Sequence, residues 1–259
     1  MNNNQPIGIF DSGLGGLTVL KTLCDRFPHE NFIYLGDLAR LPYGNKSPET
    51  IKRYGQQILS RMIQAKVKHL IIACNTASSV FLNEDTFEGI PLSNVIEPGA
   101  LAALKISKTK KIAVIGTSTT INSGAYQKVL KKLNSSVEVF SKACPLFVPL
   151  AEEGWVNDSI TQEIANRYLE SFKGKVDTII LGCTHYPILK EDIKKVMGES
   201  ISLVESGHVL SETLAPHLNG TDQNRLIKIW TTDMTDHFKK LAKDLMIGHD
   251  LCEFELIVL

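Results

Sequence analysis

The chain has 259 residues, 43% apolar and 22% charged, enough for one large core or two moderate ones in an ordinary globular protein. Lysine plus arginine equals aspartate plus glutamate at 28 each, so the basic excess of a nucleic-acid binder is missing and no nucleic-acid partner is expected. No apolar run nears the roughly 18 residues of a membrane span, and Met1-Asn2-Asn3-Asn4-Gln5-Pro6 lacks the charged-then-apolar pattern of a signal peptide, so a cytoplasmic protein away from membranes is expected.

Short β-branched or apolar runs predict strands at 6–10, 31–35, 69–73, 93–96, 111–115, 137–140, 178–181, 201–204 and 226–230. Amphipathic stretches predict helices at 16–26, 48–65, 78–87, 99–106, 123–133, 158–172, 187–197, 207–217 and 235–245. The fold class is α/β, with mostly parallel sheets built from βαβ units. The strands are continuously apolar, as strands covered on both faces are. The lysines at 105, 108, 110 and 111 read as a solvated loop before a strand. The last fifty residues are expected to return to the first half, because an equal cut leaves the second half with a surplus.

Ligands of parallel α/β sheets bind at the carboxyl ends of the strands. Five polar clusters follow predicted strands there: Asp11-Ser12-Gly13, Gly36-Asp37 with Leu41-Pro42-Tyr43-Gly44, Cys74-Asn75-Thr76, Gly116-Thr117 through Thr120, and Cys183-Thr184-His185. Two of them sit in copies of one pattern. His69-Leu70-Ile71-Ile72-Ala73-Cys74 and Thr178-Ile179-Ile180-Leu181-Gly182-Cys183 each run from apolar residues through a small residue to cysteine, 109 positions apart. Ile7-Gly8-Ile9-Phe10-Asp11 and Ile112-Ala113-Val114-Ile115-Gly116 echo each other at an offset of 105. Such pairing predicts an internally duplicated chain whose halves could present one thiol to each side of a ligand.

A lone cysteine is most often inert core. Cys74 and Cys183 share a different context, a strand end followed by polar residues and a probable helix start, where backbone N–H groups favour a thiolate. Cys24, Cys144 and Cys252 lack that context and read as core or surface thiols. None of the five forms a CxxC pair, so no metal site is expected. Asp11-Ser12-Gly13-Leu14-Gly15-Gly16 is a glycine-rich turn that lets backbone approach a ligand, or is simply a tight strand-to-helix turn. Asn75, Thr76, Thr117, Thr120 and Thr184 could hold a carboxylate and an amine, or merely cap helices. His185, two residues after Cys183, could tune that thiol. Asp11, Asp37 and Glu152 could bind an ammonium group or orient a thiol.

Taken in order, these motifs resemble the glutamate racemases of the cofactor-independent aspartate/glutamate racemase superfamily. The stretches that carry the resemblance are 9–16, 36–44, 73–78, 95–100, 148–154 and 181–187, which span most of the chain. The resemblance implies two pseudo-symmetric α/β domains, 1–97 with 208–259 and 98–207, and an active site in the cleft between them. It implies catalytic roles for Cys74 and Cys183, assisted by Asp11, Asp37, Glu152 and His185. It places substrate contacts on Asp11, Ser12, Tyr43, Gly44, Asn75, Thr76, Thr117, Thr120, Thr184 and His185. It implies glutamate as a small-molecule substrate, no cofactor, D-glutamate supply for peptidoglycan, and is compatible with a homodimer. By the same resemblance Cys74 acts on the D-enantiomer and Cys183 on the L-enantiomer. Two departures stand out: Glu205-Ser206-Gly207, where aspartate is expected before the serine, and Thr231-Thr232-Asp233, where glycine often follows the threonines. The rival readings are a racemase acting on aspartate or another amino acid, a non-enzymatic amino-acid-binding protein, and a redox or metal protein using the two cysteines.

Overall fold

The apolar runs form strands with both faces covered. The structure, a computed structural model, describes residues 4–215, 218, 225–249 and 252–259. The last two positions of the predicted helix 207–217 lie outside the described residues. Ile7–Asp11 (β1), Phe32–Gly36 (β2) and His69–Ile72 (β3) are buried at every position. With Thr86–Phe87 (β4), Ile90–Asn94 (β5), Ile227–Thr231 (β10) and Cys252–Leu256 (β11) they form a seven-stranded sheet ordered β11-β10-β2-β1-β3-β5-β4. Lys111–Gly116 (β6), Glu138–Ala143 (β7), Thr178–Gly182 (β8) and Ser202–Glu205 (β9) form a four-stranded sheet ordered β7-β6-β8-β9. Pairing is parallel throughout except in the short β4–β5 hairpin.

The order β2-β1-β3-β5 in the first sheet recurs as β7-β6-β8-β9 in the second. Strand β1 thus corresponds to β6 and β3 to β8, which are the two segment pairs that echo each other in the sequence. Strands β10 and β11, from the last fifty residues, extend the first sheet.

Each sheet carries apolar layers on both faces. Leu17–Arg26 (α1), Ser206–Leu214 (α10) and Asp236–Leu245 (α11) pack on one face of the first sheet. Pro48–Gln64 (α2) covers the other, begun by Pro48 and by Ser47, whose Oγ accepts from the Thr50 N–H. On the second sheet, alternation sends Ala113 and Ile115 toward Ser159–Leu169 (α8) and Lys190–Met197 (α9). Ile112 and Val114 face the other way, toward Ile96–Ile106 (α4) and Ala125–Leu133 (α6). Among the described residues no helix is long and apolar enough to cross a membrane.

Two expectations need correction, and some elements were not anticipated. The predicted helix 78–87 is a shorter helix, Asn75–Val80 (α3), which begins directly after Cys74 and gives way to the β4–β5 hairpin. Glu88 and Gly89, at φ 48 and 81, supply the two left-handed residues that a two-residue hairpin turn requires. The predicted strand 93–96 is displaced to Ile90–Asn94, because Asn94 Oδ1 accepts from the Ile96 N–H at 3.0 Å and starts α4. The helix expected at 123–133 is present as α6, starting after Gly124 at φ 66, and an unanticipated helix, Ser118–Asn122 (α5), precedes it. Phe147–Glu152 (α7) and β11 were not anticipated; one is too short for a helical period to show, and the other carries two glutamates in a five-residue run.

Candidate active site

The carboxyl ends of β1 and β3 face those of β6 and β8 across a cavity of about 320 Å³. That volume lies at the small end of the roughly 300–1,000 Å³ typical of small-molecule sites. The first sheet contributes Ser12 after β1, then Cys74, Asn75 and Thr76 after β3, and the loop from Leu41 to Asn45. The second contributes Thr117 and Ser118 after β6, then Cys183, Thr184 and His185 after β8. Helix α7 and its approach add Pro145, Val148, Pro149 and Glu152.

Hydroxyls lock the two sides together. Thr184 Oγ1 donates to Asp11 Oδ1 at 3.2 Å. Thr76 Oγ1 lies 2.9 Å from Thr117 Oγ1 and 3.2 Å from Thr120 Oγ1. Thr119 Oγ1 donates to the carbonyls of Gly44 and Lys46 at 3.0 and 3.1 Å. The glycine-rich turn serves this closure: a Cβ on Gly15 would fall 2.4 Å from Thr184 Oγ1 and 2.7 Å from His185 Nδ1. Its close approach is therefore to the opposite half of the chain.

The two thiols sit in unlike surroundings. Cys183 Sγ is 3.8 Å from His185 Nδ1, and His185 Nε2 is 3.1 Å from Glu152 Oε1. Burial opposes charge on His185, but the hydrogen bonds to Cys183 and Glu152, with Asp11 nearby, push its pKa up to about 10. His185, held by Glu152, thus stands against the Cys183 sulfur. Cys74 Sγ lies 3.7 Å from Ser12 Oγ and has no such neighbour. Burial, then the carboxylate of Asp11, push its pKa up to about 12. Asp11 is itself fully buried, and burial raises its pKa although the Gly13 N–H and Thr184 hydroxyl favour the anion.

Every sequence-predicted site residue lies at this cleft, but not all form its wall. Ser12, Tyr43, Gly44, Cys74, Asn75, Thr76, Thr117, Glu152, Cys183, Thr184 and His185 line the cavity. Asp11, Asp37 and Thr120 lie behind it, at 0, 0 and 1% exposure. Asp37 accepts from the Tyr43 hydroxyl, from Arg40 Nε at 2.7 Å and from Thr232 Oγ1 at 2.8 Å, so it anchors the Tyr43 loop. The departure at Thr231-Thr232-Asp233 thus keeps a threonine on that anchor. Of the apolar wall, Leu41 and Pro42 lie in a cluster named from the sequence and Val148 and Pro149 in a stretch that carries the resemblance, whereas Pro145 was not singled out, since no chemistry marks it. Cys24 and Cys144 are buried away from the cavity. Among the described residues no cluster of three or more His, Cys, Asp or Glu side chains is arranged to hold a metal ion.

The model of the Asp/Glu/hydantoin racemase family matches residues 18–214. A glutamate racemase from Aquifex aeolicus is 46% identical over 246 residues, with 95% of each chain covered. A solved glutamate racemase isoform from Bacillus anthracis superposes with a TM-score of 0.92 at 33% identity, covering 100% of this chain and 99% of that one. A glutamate racemase from Francisella tularensis, solved in complex with D-glutamate, superposes at 0.91 with 36% identity, covering 99 and 98%. The fold and these matches define an amino-acid racemase, a kind of isomerase. The chain belongs to the Asp/Glu/hydantoin racemase family and, within it, to the glutamate racemases.

Proposed function

We propose that the enzyme interconverts L- and D-glutamate with Cys74 and Cys183 as two bases on opposite faces of Cα and no cofactor. One observation carries this reading: a cysteine from each sheet lines one cavity, and one of them has His185 against its sulfur. Turnover of L-glutamate starts with Cys183 as thiolate and Cys74 as thiol. Cys183 takes the Cα proton of L-glutamate, the electron pair stays on Cα and its carboxylate, and Cys74 delivers its own proton to the other face. D-Glutamate leaves an enzyme with the two protonation states exchanged. Positioned acid–base groups of this kind contribute about 10²–10⁴-fold.

The supporting roles follow from placement. Glu152 holds His185, and His185 holds charge on Cys183. Asp11, fixed by the Gly13 N–H and Thr184, lies on the Cys74 side, where an anion suits the substrate ammonium. Asn75 offers a neutral donor that binds the substrate carboxylate, and Thr76 and Thr117 offer donors that would stabilise its growing charge in the transition state. Ser12, Tyr43, Gly44 and Thr184 complete the pocket, with Thr120 and Asp37 acting through Thr76 and Tyr43. The two sheets belong to two domains, 1–97 with 208–259 and 98–207. The product is D-glutamate for peptidoglycan, made in the cytoplasm. The test is circular dichroism of purified enzyme supplied separately with L-glutamate and L-aspartate. Decay of the glutamate signal alone is expected, and decay of the aspartate signal alone overturns the substrate assignment. Activity that needs added pyridoxal phosphate, or that chelation abolishes, overturns the two-thiol mechanism.

A further inference from the structure

Tyr126, which the sequence does not mark, touches the neighbours of both cysteines. It is the second residue of α6 and only 1% exposed. Its hydroxyl donates to Asn75 Oδ1 at 2.6 Å, and Asn75 follows Cys74. Its ring packs against Gly182, which precedes Cys183: a Cβ there would meet Tyr126 Cε2 at 3.3 Å. On its other edge it meets Gly99 of α4, where a Cβ would lie 3.3 Å from the hydroxyl.

A side-chain amide can face either way, and its hydrogen bonds decide which. The Tyr126 hydroxyl donates to Oδ1, so the acceptor end of the amide is turned toward Tyr126. That leaves Asn75 Nδ2 as the free end, and it has no hydrogen-bond partner among the described residues. A buried donor without a partner is costly. Asn75 also lines the cavity, where an anionic substrate would supply the missing acceptor.

We infer that Tyr126 is a positioning residue for racemisation, orienting the Asn75 amide so that Nδ2 is held for the substrate α-carboxylate. The inference rests on Asn75 being a substrate contact. Because Tyr126 comes from the second sheet's helix layer and Asn75 from the first, the donor is set only when the two halves are together. A carboxylate contact present in ground and transition states alike acts mainly on KM.

The test is a double-mutant cycle with Tyr126→Phe and Asn75→Ala, melting temperatures being measured alongside. Tyr126→Phe is expected to lower kcat/KM for glutamate about 5–20-fold, chiefly through KM, as loss of one oriented hydrogen bond does. Asn75→Ala should lose at least as much, and the double variant no more than Asn75→Ala alone. Losses that multiply would make Tyr126 a packing element and overturn the inference while leaving the Asn75 contact intact. An unimpaired Asn75→Ala would remove the substrate contact itself, and the inference with it. A second arm needs no variant. In a crystal of the wild-type enzyme with glutamate, Asn75 Nδ2 should lie within about 3.2 Å of a substrate carboxylate oxygen, Oδ1 staying on Tyr126. An amide turned the other way overturns the inference.

Discussion

In the proposed mechanism, Cys183 with His185 and Glu152, against Cys74 with Asp11, is an asymmetric pair performing a symmetric reaction. The enantiomers have equal free energy in water, so kcat/KM must be the same in both directions. The different surroundings of the thiols can show only in kcat and KM separately. If Cys74 and Cys183 are the two bases, replacing either sulfur removes one of two required proton transfers. Cys74→Ser and Cys183→Ser are each expected to lose at least about 10²-fold in racemisation, whereas Cys24→Ala, away from the cavity, should retain most activity. Each variant keeps one base. In D₂O, Cys74→Ser should therefore exchange the Cα hydrogen of L-glutamate but not of D-glutamate, and Cys183→Ser the reverse. Proton NMR of the Cα resonance reads both, and exchange of the same enantiomer by both variants would refute the facing assignment. The pH profile tests His185. Its proton is held below a pKa of about 10 and lost above it, so wild-type activity should fall on the alkaline side near that pH. Glu152→Gln removes one of the groups that raise the value. The alkaline limb should then move toward the ordinary imidazole pKa, by about one unit or more. An unmoved limb would show that His185 does not govern it.

At the scale of elements, the residues of the cleft are placed by strand ends and by what braces them. Gly182 closes β8 directly before Cys183, and a Cβ there would lie 2.7 Å from the Ile115 carbonyl oxygen on the adjacent strand. Backbone cannot yield as a side-chain tip can. Gly182→Ala is expected to cost about 1–3 kcal/mol in denaturant unfolding and to lower activity further by shifting Cys183. A second brace is Asp177, just before β8. It accepts from Ser107 Oγ at 2.6 Å and from the N–H groups of Lys108 and Thr109 at 2.8 and 2.7 Å, tying the end of α4 to the sheet. Burial opposes its charge, but those hydrogen bonds outweigh it and bring the pKa down to about 2. A depressed folded pKa adds stability above the ordinary carboxyl value and loses it as pH falls through the folded one. Asp177→Asn should thus melt lower than the parent at neutral pH, with the gap narrowing as pH drops from about 4 to about 2. A gap independent of pH would mean that charge at Asp177 contributes nothing.

For the whole molecule the decisive feature is that two sheets sharing one four-strand order meet at their carboxyl ends. Bases on opposite walls imply that the hydrogen removed differs from the hydrogen delivered. In D₂O, D-glutamate formed from protiated L-glutamate should carry deuterium at Cα from the first turnover, while early recovered L-glutamate stays largely protiated. Mass spectrometry of the separated enantiomers decides it, and substantial protium in the first D-product would mean that one base serves both faces.

Much of this was legible in the chain. The α/β class followed from apolar runs alternating with amphipathic stretches, because strands covered on both faces must be apolar throughout. The two cysteine contexts and the β1/β6 echo were visible because short-range pattern is conserved between strands that do the same job. The family resemblance rested on contiguous motifs for the same reason. Tertiary structure decided what depends on distant residues meeting. Asp37 and Tyr43 are six residues apart, yet Thr232 from β10's end completes their anchor. Tyr126 gains its place only when α6 of one half reaches Asn75 of the other. The His185–Glu152 pairing and the apolar cavity wall need α7, a six-residue helix with too few turns to announce itself. Local pattern determines which elements form and which residues end them. Which of those ends meet across one cavity is a property of the packed halves alone.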